Sequence, residues 1–322
     1  MKLGVMTPVL YSMELEEALK YLSGLGVQTV EIGCGGYPGT THLNPADYFA
    51  NPAKVDELKK MLAKYNMEIS ALSCHGNPVH PDKEIAEQFH NEFIDTLKMA
   101  QMLGIDTVIS FSGCPGDCET SKNPNWVTCA WPNEYGEVLE WQWNDVLIPY
   151  WKSAASDAKK YGVTKIALEM HPGFCVYNPE TLMKLRNAVG GDIIGANFDP
   201  SHLFWQGINP AEAIKYLCGA IHHFHAKDTK IDKANTAVNG VLDTKSYVEL
   251  PKRSWLFRTV GYGNDYATWK EIFSALKVVG YDGAISIEHE DALMSPTEGL
   301  EKAIAFLKET IIFESAGDAW WV

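Results

Sequence analysis

The stretch IALEMHPG, residues 166–173, is an apolar run that stops on a carboxylate and a histidine. Its β-branched and small apolar residues read as a strand buried on both faces. Such a strand has no packing use for Glu169 at its end. The same composition recurs along the chain. KLGVM (2–6), VQTVEIG (27–33), EISALSC (68–74), DTVISFS (106–112), KIALEM (165–170), IIGANFD (193–199), AIHHFHA (220–226) and GAISIEH (283–289) are strand-like. Amphipathic stretches at 13–24, 53–65, 83–103, 144–161, 179–188, 210–218, 266–279 and 296–313 follow them in turn.

Eight strand–helix pairs in 322 residues predict a parallel sheet closed into a (β/α)8 barrel, the α/β TIM-barrel architecture. A doubly wound sheet is the alternative, but no glycine-rich phosphate fingerprint follows the first strand. No composition break divides the chain, so residues 1–322 read as one domain. Two segments are too long for ordinary barrel loops: about 113–143 and about 229–263. Both follow strands and are expected on the C-terminal face, where barrel sites are built. Trp126, Trp131, Trp141, Trp143 and Trp255 fall in or beside them. They are expected either to pack the loops onto the barrel or to flank a flat apolar substrate group.

The formal net charge of −14 opposes a nucleic-acid reading, which needs a basic face. No stretch approaches the roughly 18 apolar residues of a membrane span. The start MKLGVMTPVLYSMELEEALKYL has no signal-peptide pattern, so a cytoplasmic location is expected. Seven scattered cysteines suit a reducing compartment. Cys114, Cys118 and Cys129 lie close in sequence, but at irregular spacing for zinc.

Strand five ends at Glu169, strand six at Asp199, strand seven at His225 and strand eight at Glu288. A lone acid on a barrel rim is ordinarily solvated. Four ligand-type residues at matching positions of four successive units point to one divalent cation. Three carboxylates and one imidazole suit Mn²⁺, with Mg²⁺ or Co²⁺ as alternatives. The cation also explains how three carboxylates can converge. His75, His171, Lys227 and Trp131 are candidate substrate contacts. Glu31, Glu290 and Ser112 are rim residues whose roles are read equally as supporting or structural.

LEMHP, FDPSHLFWQG, HFHAKDT and ISIEHED together resemble the xylose-isomerase-like barrel superfamily, over essentially the whole chain. The superfamily includes sugar isomerases and epimerases and a DNA-repair endonuclease type. The resemblance implies that Glu169, Asp199, His225 and Glu288 bind the metal. It implies that Glu169 and Glu288 also exchange protons with substrate carbon, and that His202, in D-x-x-H with Asp199, contacts substrate or metal. Glu169, Glu288 and His202 are thus the catalytic candidates. Lys230 stands where many ketose epimerases carry an arginine, a departure that counts against simple free-ketose epimerisation.

The aromatic insertions resemble the large subunit of bacterial C-glycoside deglycosidases, which pair a metal barrel with a small β subunit. That resemblance implies elimination of an aglycone from a 3-oxo-glycoside. Ketose 3-epimerisation or aldose–ketose isomerisation is the alternative, and an endonuclease-like phosphodiesterase a remote one. A non-catalytic binding protein is opposed by the complete ligand set.

Overall fold

The computed structural model describes residues 1–315 and 317–322. Strands β1 (Lys2–Met6), β2 (Thr29–Gly36), β3 (Glu68–His75), β4 (Thr107–Phe111), β5 (Lys165–Glu169), β6 (Ile194–Phe198) and β7 (Ile221–Ala226) are followed by β8 (Asp228–Ile231), β9 (Trp255–Arg258) and β10 (Ala284–Ile287). Eight of them close a parallel barrel in the order β1-β10-β7-β6-β5-β4-β3-β2. The barrel expected from the strand–helix alternation is therefore present. Every residue of β4, β6 and β10 is buried, because side chains on one face fill the lumen and those on the other meet helices. Ala71, Ile109 and Ala167 form a separate apolar cluster. No helix among the described residues is long and apolar enough to cross a membrane.

The outer helices bury one stripe each and are capped by the residues at their ends. Asp82 accepts from the Glu84 amide to start the helix Lys83–Leu103, which stops at Gly104 in the left-handed region (φ 77°). Ser295 and Asp265 cap Pro296–Thr310 and Tyr266–Val278 in the same way. The last helix is three residues shorter than expected, because the backbone turns extended at Ile311 (ψ 137°), whose side chain is buried.

Both insertions carry more order than their sequences announced. The helix expected at 144–161 is the end of a longer helical run. Asn133–Trp141 continues through a wide π-type stretch, Gln142–Leu147, into Ile148–Lys160. At that wide stretch Gln142 is buried, and its amide donates to the Gly116 carbonyl at 2.9 Å and the Asn125 carbonyl at 2.7 Å. One side chain thus ties down the loop before it. In the second insertion β8 and β9 form an antiparallel pair, with Lys230 opposite Leu256. A helix, Lys233–Asn239, follows β8. The pair is rooted at Asp228, whose carboxylate accepts from the amides of Gly261, Gly263 and Asn264 at 3.0–3.1 Å.

Trp143 and Trp255 are buried, at 2 % and 4 % exposure, so these two rings pack the loops rather than project from them. Trp255 stacks on Trp205 at 4.8 Å and 5°.

On β7 the side chains alternate. His223 and His225 are fully buried, whereas His222 is partly exposed, with Nε2 donating to the Asp192 carbonyl at 2.9 Å. Gly195 is required beside it, since a Cβ there would lie 2.4 Å from the His222 ring. Burial pushes the His222 imidazole down to about 4. An unfolded histidine, near 6.5, therefore binds its proton before the folded one does. The contribution is whole above pH 6.5 and lost as pH falls toward 4, by on the order of 2 kcal/mol for this partly exposed group. Urea unfolding at pH 7 and pH 4 should show a smaller acid loss in His222→Gln than in the wild type. Equal losses would contradict this account.

Candidate metal and active site

Glu169 is the last residue of β5, and Asp199 and Glu288 follow β6 and β10 directly. His225 is the fifth residue of β7. The parallel register puts all four at one barrel mouth, with ligand atoms within 4.8 Å of one another. His225 Nδ1 lies 3.0 Å from Glu288 Oε2 and 3.3 Å from Glu169 Oε2.

Asp199 divides its two oxygens. Oδ1 accepts from the Ser201 amide at 2.8 Å and so caps the short helix Pro200–Trp205. Oδ2 is buried without a hydrogen-bond partner. Lys227 Nζ at 3.2 Å and His202 Nε2 at 3.3 Å are close enough for charge attraction, but neither is aligned to donate to it. Burial pushes Asp199 up to about 6; Lys227 opposes this, while the Glu169 and Glu288 charges add to it. An orphaned carboxylate oxygen beside two more carboxylates and an imidazole fits a divalent cation.

The supporting shell is equally defined. Glu31 on β2 is fully buried and accepts from His225 Nε2 at 2.9 Å, from Ser286 Oγ at 2.8 Å and from Ser73 Oγ. Burial would raise Glu31, but the His225 charge and these hydrogen bonds hold it at about 2. Because a carboxylate only accepts, His225 Nε2 carries hydrogen, and Nδ1 is the atom that faces the cluster. Glu169 accepts from His75 Nε2 at 3.0 Å, His202 Nε2 at 3.0 Å and Asn197 Nδ2 at 3.2 Å. Burial works against its charge, yet the bonds from His202, His225 and His75 keep it well below the usual carboxylate range.

Lys227 is 2 % exposed. Its Nζ lies 2.9 Å from Glu288 and 3.1 Å from Glu290, and 4.7 Å above the Phe257 ring. Burial opposes its charge, but Asp199, Glu288 and Glu290 hold it well above its ordinary value. His171 donates from Nδ1 to the Pro172 carbonyl at 2.6 Å, and its ring stands 4.1 Å from that of His202. Burial and the neighbouring His202 lower it to about 4, so it is neutral near pH 7.

Among the described residues two further groups bring three ligand-type side chains together, Glu31–His223–His225 and Glu169–His171–His202. Each shares a residue with the four-ligand cluster. The cysteines Cys114, Cys118 and Cys129 belong to none of them, and Cys114 is buried while the other two are exposed.

The structure thus gathers Glu169, Asp199, His225, Glu288, His202, His75, His171 and Lys227. It does not gather Trp131, which is 76 % exposed on its loop and does not line the cavity over the cluster. Ser112 is structural: its carbonyl accepts from Trp151 Nε1 and its hydroxyl from the Val176 amide, each at 2.9 Å. Lys230 points outward to the Gly263 carbonyl. Asn197 and Phe257 were not singled out from sequence. Asn197 had a signal, since it precedes Asp199 by two on one strand and so shares its face.

A cavity of about 470 Å³ opens above the cluster, lined by Glu169, Glu288, His75 and His171 and by the apolar Tyr11, Tyr37 and Phe111. Its volume falls within the range of small-molecule binding cavities.

Comparison with known proteins agrees with the barrel fold. YfiH of Bacillus subtilis (strain 168), described as an uncharacterized protein, is 42 % identical over 314 residues, 97 % of this chain and 99 % of that protein. An inosose dehydratase of Clostridium perfringens is 26 % identical over 167 residues, 49 % of this chain and 54 % of the relative. The crystal structure of the IolI protein with a binding zinc atom superposes with a TM-score of 0.63 at 21 % identity, over 96 % of each chain. The family model for the xylose isomerase-like TIM barrel matches residues 19–310, which take in all eight residues gathered at the mouth, and the chain belongs to that family.

Proposed function

We propose that this chain is a divalent-metal-dependent carbohydrate lyase. It would take a proton from the carbon beside a sugar carbonyl and let the aglycone of a 3-oxo-glycoside leave. The observation that carries the metal-dependent part is the orphaned Asp199 Oδ2 among Glu169, His225 and Glu288. Elimination is supported by the inosose dehydratase relative, since a dehydratase expels a group as water. The IolI structure, which shares the fold, has a binding zinc atom, and this supports a divalent ion on the present barrel. The oxygen-rich donor set favours Mn²⁺, with Mg²⁺ or Co²⁺ next. When bound, the ion supplies polarisation of the substrate carbonyl.

The chain's own groups do the rest. Lys227, kept charged by its carboxylate neighbours, donates to the oxygen on which negative charge accumulates. Burial lowers His202, the Lys227 charge adding to this, so its imidazole is neutral near pH 7 and able to take a proton. Glu169 fixes that ring through Nε2. His202 or one of the ligand glutamates is the proton carrier. A small β subunit would dock on the insertion surface, where Trp131 and Tyr135 are exposed.

The test is aglycone release from a 3-oxo-C-glycoside with Mn²⁺, for the chain alone and with a small subunit. His202→Ala should keep its metal and lose about 100-fold in turnover. Full activity would remove His202 from the mechanism. Ketose 3-epimerisation is the second reading, favoured by one observation: Glu169 and Glu288 both line the cavity over the cluster, so two carboxylates face the space a substrate carbon would occupy. Deuterium uptake into a ketose without aglycone release in either sample would select it.

A further inference from the structure

Beside the polar cavity lies a chamber of about 340 Å³ with a different lining. Its walls are Tyr247, Leu250, Leu256 and Phe257 from the second insertion, and Ala292 and Leu293 from the loop after β10. Only His171 and Glu290 are polar, and both also line the cavity over the metal ligands. A third cavity of about 410 Å³ continues past His171 and Tyr247 to Trp126, Trp205 and Trp255. The three spaces therefore meet at His171.

The insertion fixes the shape of the apolar wall. The Tyr247 and Phe257 rings are nearly parallel, 14° apart with centroids at 5.9 Å. Tyr247 is held from behind by the Arg253 guanidinium at 4.2 Å, and Arg253 itself is buried and donates to the Lys245 and Trp255 carbonyls. Phe257 stands edge-on to His202 at 5.3 Å, so the wall reaches the catalytic imidazole without a gap in the chain of contacts. Yet Tyr247 and Leu293 remain 54 % and 55 % exposed, an apolar surface in a concave site with nothing of this chain upon it. Water disfavours such exposed apolar area.

We infer that this chamber is a subsite for a flat apolar, aromatic group carried by the substrate, with the sugar part over the metal ligands. The inference rests on the proposed reading of the sugar site and names the kind of substituent that site accepts. Continuity decides the occupant. A separate ligand would not need the shared His171 and Glu290, whereas one molecule spanning both spaces uses the polar floor and the apolar wall together.

The test compares 2-naphthyl β-glucoside with methyl β-glucoside by equilibrium dialysis against the Mn²⁺-loaded protein, in the wild type, Leu293→Asp and Leu256→Asp. The naphthyl compound should bind at least about tenfold tighter to the wild type, and each variant should lose most of that preference with its manganese content unchanged. Leu293 lies on an exposed loop, so its variant keeps the test open if Leu256→Asp misfolds. Equal affinities in the wild type, or a preference unchanged by Leu293→Asp, would overturn the subsite. Titration of 2-naphthol into metal-free protein separates the two readings. Saturable binding that Leu293→Asp weakens supports the chamber even if the sugar site fails, and its absence counts against the chamber alone.

Discussion

Asp199→Asn and Glu288→Gln are each expected to weaken manganese retention by at least about tenfold. Outer-shell partners of metal ligands already cost that much when changed, and these two residues are proposed as ligands themselves. Asp199 offers Oδ2, a buried oxygen without a hydrogen-bond partner, while Oδ1 caps a helix. The amide in Asp199→Asn can keep the cap and removes the charge, so metal loss need not come from unfolding. Glu288→Gln leaves the buried Lys227 with Asp199 and Glu290. Glu31→Gln should weaken retention less, because it changes only the acceptor that orients His225. Metal analysis after gel filtration, with circular dichroism as the control for folding, reads all three. Unchanged occupancy in both ligand variants would remove the four-residue assignment.

The convergence of these four residues was legible because each is a charged or imidazole side chain at the end of a strand-like run. Local composition suffices to see that, and eight-fold repetition tells that the ends share a rim. Glu31 carries the same signal inside TVEIG, yet its partner His225 is 194 residues away. Sequence therefore marks it as unusual without saying what it holds. The three histidines of HHFHA show where periodicity helps: spacing by two separates inward His223 and His225 from outward His222. The insertions show where it fails. β8 and β9 have four residues each, too short for a periodic signal, and they pair across a connection whose length hides the partner. The wide stretch at Gln142 depends on carbonyls up to 27 residues earlier. Trp143 and Trp131 sit in one segment, and tertiary packing alone buries the first and leaves the second in solvent.

The other large effect is expected at a residue with no catalytic part. Asp228 follows Lys227 and is completely buried. Its carboxylate accepts from five backbone or side-chain groups beyond its own neighbour: the amides of Gly261, Gly263 and Asn264, Asn264 Nδ2 at 2.7 Å and Trp269 Nε1 at 3.2 Å. Gly263 sits so close that a Cβ there would come within 2.5 Å of Oδ1. Burial raises the Asp228 carboxyl against those hydrogen bonds, so the site depends on their number. Asp228→Ala strands the donors in a space too tight to hydrate each of them. At about 1 kcal/mol or more per unsatisfied group, the loss should be about 3–5 kcal/mol. That is a large share of the stability of an ordinary domain. The damage should begin where the carboxylate acts, at the return of the second insertion from β9 to the helix Tyr266–Val278. Limited proteolysis should cut between residues 240 and 264 in Asp228→Ala at conditions where the wild type is intact, and the thermal midpoint should fall by several degrees. Asp228→Asn, which keeps one acceptor oxygen, should fall between the two. A change below about 1 kcal/mol in Asp228→Ala would show that the insertion is held by the β8–β9 pairing and the stacked Trp205 and Trp255, not by this buried anchor.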